Sequence, residues 1–455
     1  MNYIITKEGN YGVIRPAPIG SLAATLDKYM QYTRQNEEYT QWPIVKFYKT
    51  YKRTNTGQFP WGLLLTTKAI FDKHCEISKD SYILKVPELP SSEIPDLIGL
   101  REYQRETVRS LVKHKGGIIV IPCGGGKTIT LIEYLKLMNL PALVIVPSID
   151  IRKQWDDFNL KNLVASTYQN SKLKLKGTKG KLLELSKIVL AKELSQYRIV
   201  VFDECHHTAA KSLYNIAMHT ATDAILIGAT ATINRDDGEE MRINAALGEI
   251  IYTIERKELI RQGYLANARV VYLTPQFKSN GKYTRYPVVY KNEIVENQSR
   301  NNLIVATAIR ETQNHRKILI LVNTLDHQDI LMQLFNMPHN LPITNNLKII
   351  VMNGNSKDRD QDMSVYDIII ATSIYDEGYN LPSLDTLILA GSGKSTIKLI
   401  QRIGRVLRLK PDGREAIIYD FVDLPKYLDK QYKERRKLLE QEFEVTVQSN
   451  QRTLI

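Results

Sequence analysis

The chain has 455 residues, 43% of them apolar and 24% charged, with three cysteines and a formal net charge of +13. That length holds two or three domains, and that composition builds apolar cores without disulfide support. No apolar run reaches the roughly 18 residues of a membrane span, and the N-terminus carries no apolar signal segment. Cys75, Cys123 and Cys205 make no C-x-x-C pair, which speaks against a zinc ribbon and suits a reducing, cytoplasmic setting. The excess of positive charge favours a polyanionic partner, most simply nucleic acid.

Residues 1–95 read as a small α+β module rich in tyrosine and proline, with a helix near Leu22–Gln35. Lys46-Phe-Tyr-Lys-Thr-Tyr-Lys-Arg53 interleaves cations with aromatics, a pattern that serves either a phosphate-contacting strand or a solvated sheet edge. The proline-rich stretch 87–95 reads as a linker. A helix over Arg105–Lys113 follows Leu100-Arg-Glu-Tyr-Gln104, where Gln104 can pair with both edges of an adenine.

The apolar run Gly117-Ile-Ile-Val-Ile121 predicts a buried parallel strand, and Thr130–Leu137 predicts a helix. Between them lies Ile121-Pro-Cys-Gly-Gly-Gly-Lys-Thr128. Strand, glycine-rich turn and helix are the context of a phosphate loop. Gly124, Gly125 and Gly126 let backbone N–H groups curl around phosphates, Lys127 reaches their oxygens, and Thr128 offers a hydroxyl to Mg²⁺. The full pattern asks for glycine at 121, where this chain has isoleucine.

Strands and helices then alternate. Ala142–Val146 is a strand ending at Pro147, followed by a helix with Gln154-Trp155, and Leu163–Tyr168 is a further strand. Arg198-Ile-Val-Val-Phe202 delivers Asp203 and Glu204, two adjacent carboxylates suited to holding Mg²⁺ and to orienting a water. Ala224–Gly228 is a strand ending in Ala229-Thr-Ala-Thr232. The lysine-rich stretch 172–192 reads as a solvated face.

Taken in order, Gln104, Gly-x-Gly-Lys-Thr, Asp203-Glu-Cys-His206 and Gly228-Ala-Thr-Ala-Thr232 resemble helicase superfamily 2. The second half carries the matching set: Lys317–Thr324, Met352-Asn-Gly354 with Arg359, Asp367–Thr372 leading to Asp376-Glu-Gly378, and Gln401-Arg-Ile-Gly-Arg-Val-Leu-Arg408. The resemblance covers about Leu100 to Arg408 and points toward the branch-migration helicases of large tailed phages. Gln401, Leu407 and His206 depart from the pattern of RNA helicases of the DEAD type, which favours DNA over RNA.

The resemblance implies two RecA-like parallel-sheet domains in tandem, α/β in class, behind the small N-terminal α+β domain. The expected divisions are 1–95, 96–262, 263–425 and 426–455. ATP with Mg²⁺ is the implied cofactor pair. Arg101, Gln104, Gly124, Gly125, Gly126, Lys127, Thr128 and Gly378 are the implied nucleotide contacts; Thr128 and Asp203 hold the metal. Lys127, Asp203, Glu204, Gln401, Arg405 and Arg408 carry hydrolysis, the last two with the spacing of arginine fingers. Pro147, Thr167, Thr230 and Thr372 are implied nucleic-acid contacts.

Asn280-Gly281 within Gln276–Lys291 predicts a hairpin bearing Lys282, Arg285 and Tyr286, which would grip or wedge a strand. Lys426–Phe443 predicts a charged helix whose Arg435-Arg-Lys437 offers further phosphate contacts. The expected function is an ATP-dependent, monomeric DNA helicase or translocase acting on forked and branched DNA in the cytoplasm, that of a bacterial host for a phage protein. The alternatives are the motor subunit of a restriction system, an RNA helicase, or a binding protein with a degenerate ATPase fold.

Overall fold

The computed structural model describes residues 4–33, 44–74, 97–168, 188–232, 239–276, 285–353, 363–372, 384–392, 413–443 and 448–449, apart from residues 9, 16, 98 and 339. Two compact units emerge, the first over Met1–Pro122 and Gly126–Ile254, the second over Glu255–Ile455 together with the short turn Cys123–Gly125.

The first unit opens with the N-terminal module. Strands β1 (Ile4–Glu8) and β2 (Tyr11–Arg15) are followed by α1 (Gly20–Tyr29), β3 (Gln31–Thr33), β4 (Ile44–Lys46), β5 (Lys49–Tyr51), β6 (Thr56–Pro60) and α2 (Leu64–His74). An antiparallel sheet of order β1-β2-β6-β5 forms, and β3 pairs with β4. The helix expected to run to Gln35 stops at Tyr29. Gln31–Thr33 is taken into the ladder with Ile44–Lys46, since Tyr32 and Thr33 suit an extended backbone better than a helix.

A parallel sheet of order β12-β7-β11-β10-β8-β9 builds the rest of this unit. Its strands are β7 (Gly117–Val120), β8 (Ala142–Val146), β9 (Leu163–Thr167), β10 (Ile199–Asp203), β11 (Ile225–Thr230) and β12 (Ile250–Thr253). Every residue of β8 and β10 is buried, because helices cover both faces of a parallel sheet. Helices α3 (Glu102–His114), α4 (Lys127–Met138), α5 (Ile149–Asp156), α6 (Lys211–Met218) and α7 (Glu240–Leu247) connect the strands.

The module is fastened to this sheet. Asn10 Nδ2 donates to the Ala217 carbonyl at 2.9 Å and to Thr220 Oγ1 at 2.7 Å, both at the end of α6. Lys7 donates to the Thr222 carbonyl, and burial lowers its pKa to about 8. At Gly62 a Cβ would meet the Asn244 carbonyl oxygen at 2.1 Å, so only glycine allows this approach to α7. Ala245 of α7 belongs to the module's own core.

The second unit is a parallel sheet of order β15-β16-β14-β17-β18-β13-β19. Its strands are β13 (Ala268–Leu273), β14 (Ile318–Leu321), β15 (Ile349–Met352), β16 (Ile368–Ala371), β17 (Thr386–Ile388), β18 (Ala416–Phe421) and β19 (Gln448–Ser449). Alternation splits its strands between two cores: Leu319, Leu321, Ile369 and Ala371 face one layer, Ile318, Ile320, Ile368 and Ile370 the other. Helices α8 (Arg256–Arg261), α9 (Tyr286–Tyr290), α10 (Gln298–Gln313), α11 (Leu325–Phe335) and α12 (Leu428–Glu442) surround it. These two parallel sheets and the small antiparallel one give the expected α/β class.

Two expectations change here. The second limb expected of the 276–291 hairpin is helical: Tyr286–Tyr290 forms α9, continued by a π-helical turn over Lys291–Val295. Pro287 explains this, because it lacks the N–H a ladder needs and its φ suits a first helical turn. Residues 277–284, with Asn280-Gly281 and Lys282, lie outside the described residues. Arg435 is not a phosphate contact: it is 5% exposed and bonded to Asp420, Asp423 and Ser392. Among the described residues no helix is long and apolar enough to cross a membrane.

Candidate nucleotide site

The chain leaves β7 at Val120 and turns through Ile121–Gly126 into α4. Gly124 and Gly126 have φ of +83° and +79°, values that strain any residue with a Cβ. A Cβ at Gly126 would also lie 2.5 Å from Gln104 Nε2. Gln104 is 4% exposed, and its Oε1 accepts the Arg101 N–H at 2.9 Å at the start of α3. With the oxygen so engaged, the amide nitrogen is turned to the loop. Arg101 donates to the Tyr103 hydroxyl at 3.3 Å.

Lys127 is the first residue of α4, where the helix N-terminus adds partial positive charge. Its Nζ lies 3.3 Å from Glu204 Oε1. Asp203 closes β10, and both its oxygens are engaged: Oδ1 by the Glu204 N–H at 3.0 Å, Oδ2 by the Trp155 indole N–H at 3.0 Å. Glu204 follows with φ +52°, a left-handed backbone that costs about 1–2 kcal/mol in a residue with a side chain. That turn sends Asp203 and Glu204 off the strand end side by side.

His206 Nδ1 stands 3.4 Å from Glu204 Oε2 and 3.1 Å from Thr230 Oγ1. The Thr230 hydroxyl donates to the Thr232 carbonyl at 2.7 Å, so it accepts from His206, which assigns the ring proton to Nδ1. A polar path thus links β10 to β11. Cys205 beside it is buried against Gly228, where a Cβ would lie 2.9 Å from the Cys205 sulfur.

The electrostatics follow from burial. Burial, with the Glu204 charge beside it, raises the Asp203 pKa to about 6. Burial pushes Glu204 the same way, but the Lys127 ammonium and the His206 hydrogen bond outweigh it and hold the group at about 2. Burial lowers the His206 pKa and keeps the ring neutral. One lysine therefore faces two carboxylates, and the surplus negative charge suits a cation. Among the described residues no group of three His, Cys, Asp or Glu side chains is placed to hold a metal. A magnesium ion here would take few protein ligands and complete its shell with water and phosphate oxygens.

Three of the remaining expected positions line the same sheet edge. Pro147 and Thr167 stand at the C-terminal ends of β8 and β9, and Thr230 at that of β11. Thr230 is fully buried. In the second unit Thr372 follows β16 and its N–H donates to the Met352 carbonyl at 3.2 Å. Arg285 caps α9, and the Tyr286 ring lies 5.9 Å from Tyr290 and 6.1 Å from Tyr427. Gly354, Arg359, Gly378, Gln401, Arg405 and Arg408 lie outside the described residues. Trp155, singled out in the sequence with Gln154 but given no role there, is the side chain whose indole meets Asp203. Its signal is a lone tryptophan in a helix whose other residues after Ile151 are polar.

Two family models match. "Type III restriction enzyme, res subunit" covers residues 97–235, and "Helicase conserved C-terminal domain" covers 299–410. The DNA 3'-5' translocase XPB2 of Sulfurisphaera tokodaii is 25% identical over 408 residues, 78% of this chain and 88% of that protein. A putative HsdR subunit of a type I restriction enzyme from Vibrio vulnificus YJ016 shares the fold. Its TM-score is 0.53 at 14% identity, over 94% of this chain and 90% of that one. T4 UvsW aligns over 98% of this chain and 99% of its own at 18% identity, with a TM-score of 0.41, below what argues for a shared fold. With both models in the expected order, the chain belongs to helicase superfamily 2 and is an ATPase.

Proposed function

We propose that this chain is a DNA translocase that uses ATP hydrolysis to unwind or branch-migrate forked and branched DNA. The observation that carries the reading is the convergence of Lys127, at the start of the helix after β7 and its glycine turn, with Asp203 and Glu204 at the end of β10, with β11 between the two strands. Lys127 is assigned to the β- and γ-phosphates, Thr128 and Asp203 to Mg²⁺, and Glu204 to the attacking water. Bound Mg²⁺ would neutralise charge on the phosphates and set the geometry of attack. When phosphate draws Lys127 away, Glu204 loses its ion pair, with its Oε2 left 3.4 Å from the His206 ring. Arg101, Gln104, Gly124, Gly125, Gly126 and Gly378 are assigned to the nucleotide, and Gln401, Arg405 and Arg408 to the transferred phosphoryl group.

DNA is favoured by the kinship with a DNA 3'-5' translocase and by the departures from the RNA-helicase pattern at Gln401 and Leu407. Pro147, Thr167, Thr372, Lys282, Arg285 and Tyr286 are assigned to DNA; Thr230, being buried, is assigned to relay. Lys49, Lys52 and Arg53, exposed on the hairpin of β5 and β6, add a basic edge, and Tyr51 stands exposed among them. We assign residues 1–95 to an accessory DNA-binding role, 96–262 and 263–425 to the two halves of the motor, and 426–455 to a terminal helix and tail. The protein is proposed to act as a monomer in the cytoplasm. The test compares ATPase stimulation and strand displacement on single-stranded DNA, duplex, fork, four-way junction and RNA. Forked and four-way DNA are expected to stimulate most. Equal or greater stimulation by RNA would overturn the DNA assignment.

A further inference from the structure

Helix α5 joins two parts of the first unit that the motifs treat separately. It starts directly after Pro147, at the strand-end position assigned to the DNA backbone. Ser148 caps it, its Oγ accepting the Ile151 N–H at 3.3 Å. Ile149 is 59% exposed, and Arg152, Lys153, Gln154 and Asp156 are exposed as well. Trp155 is the exception: it is 1% exposed, and its indole N–H ends on Asp203 Oδ2 at 3.0 Å, 48 residues further along the chain.

Among the described residues Asp203 has one other donor, the N–H of the residue after it. That bond moves with β10 itself, whereas the Trp155 bond comes from a separate element. Any displacement of α5 therefore acts on the orientation of the carboxylate assigned to the metal. Eight helical residues form a stiff rod of about 12 Å, so a load at the Pro147 end reaches Trp155 with little loss. A hydrogen bond weakens steeply with angle, so a small rotation suffices.

We propose that Trp155 is a positioning residue through which DNA held at the Pro147 end of α5 sets the orientation of Asp203, and so couples DNA binding to hydrolysis. The inference rests on the translocase reading above. Trp155→Phe keeps the aromatic bulk and removes the N–H, so it separates the relay from packing.

Two measurements test it. In the full-length Trp155→Phe enzyme, stimulation of kcat by forked DNA is expected to fall about tenfold, within the usual range of coupling between sites. Kd for DNA without nucleotide should stay at the wild-type value. The second measurement needs no turnover. The chain has three tryptophans, so Trp42→Phe with Trp61→Phe leaves Trp155 as the single reporter. Saturating forked DNA, without nucleotide or metal, is expected to shift or quench its emission. Wild-type stimulation in Trp155→Phe, or unchanged emission at saturation, overturns the relay. A wild-type enzyme that no DNA stimulates removes the translocase reading and the relay with it; a stimulated wild type matched by Trp155→Phe removes the relay alone.

Discussion

Asp203 and Asp420 occupy the same kind of place. Each comes at the end of an apolar strand buried on both faces, Ile199–Asp203 in one unit and Ala416–Phe421 in the other. Each accepts the N–H of its own successor, at 3.0 Å and 2.9 Å. They differ in what completes them. Arg435 Nε lies 3.1 Å from both oxygens of Asp420, and a second arginine, Arg300, meets Asp423 at 3.2 Å. Two arginines answer two aspartates there. At Asp203 and Glu204, among the described residues, a single lysine answers two carboxylates. A buried cluster whose charges cancel is a strut, while one left with a surplus is poised for a missing charge.

The comparison breaks first at Glu204. Glu204→Gln should lower DNA-stimulated kcat by about 10²–10⁴, the usual worth of a general base, while ATP still binds and the fold persists. Phosphate release and equilibrium nucleotide binding measure the two halves. Wild-type turnover would remove Glu204 from the chemistry and leave the surplus charge unexplained.

The same truncation in the other cluster should act on stability instead. Arg435→Met leaves Asp420 and Asp423 buried with one cation between them, and should cost about 3–5 kcal/mol. It would appear as a lowered unfolding midpoint of the second unit, with nucleotide binding at Lys127 retained. The double variant Arg435→Met with Asp420→Leu should recover much of the loss, because it removes both charges. A single variant as stable as wild type would show that the cluster is no strut.

The two clusters were unequally legible in the sequence, and for a physical reason. Lys127, Asp203 and Glu204 announce themselves because a phosphate site needs those residue types within a few positions of a strand end. Arg435 sits in the run Arg435-Arg-Lys437, which reads as a solvated face, while its partners lie 12 and 15 positions earlier. A periodic signal was present nonetheless: Leu428, Tyr432, Arg435 and Leu439 are the buried positions of α12, at spacings of four, three and four. An arginine on an apolar stripe implies a buried acid opposite it. Trp155 was hidden differently, since nothing in Gln154-Trp155 tells which carboxylate an indole will meet. Nor could the docking of the N-terminal module be read, because Asn10 finds its partners 207 and 210 positions away. The central strands β7, β8, β10 and β11 were legible as apolar runs, because a parallel strand covered on both faces is apolar throughout; β12, β13 and β17 were not read as strands.

A titration sharpens the comparison further. His327 on α11 is fully buried, and its Nε2 is bonded to Asn301 Oδ1 at 2.9 Å. Burial, with the Arg300 charge added, lowers its pKa to about 3. The folded chain therefore resists a proton that the unfolded chain takes near pH 6.5. Stability from this residue is whole above that pH and falls as pH drops toward 3, with a slope approaching about 1.4 kcal/mol per pH unit. Denaturant unfolding of the second unit at pH 7 and pH 5 should show the loss, and His327→Gln should flatten it. An unchanged slope in that variant would mean that other groups carry the acid sensitivity.

The smallest effect belongs to the neighbour of the strut. Arg436 is one position from Arg435, which turns it to the outer side of the same helix. Its Nε meets Glu440 Oε1 at 2.7 Å, with the two side chains 45% and 41% exposed, and its guanidinium lies 5.5 Å from the Tyr272 ring. Both are contacts of a wet surface, so Arg436→Ala should cost only about 0.5 kcal/mol. Salt separates the pair of arginines more sharply than the magnitudes do. Raising ionic strength to about 1 M cuts the screening length to about 3 Å and should erase part of the Arg436 effect. It should leave the Arg435 effect nearly intact, because ions cannot enter the space between Arg435, Asp420 and Asp423. If both losses shrank alike with salt, the Arg435 cluster would have to be open to water, and the contrast with the lysine at 127 would lose its basis.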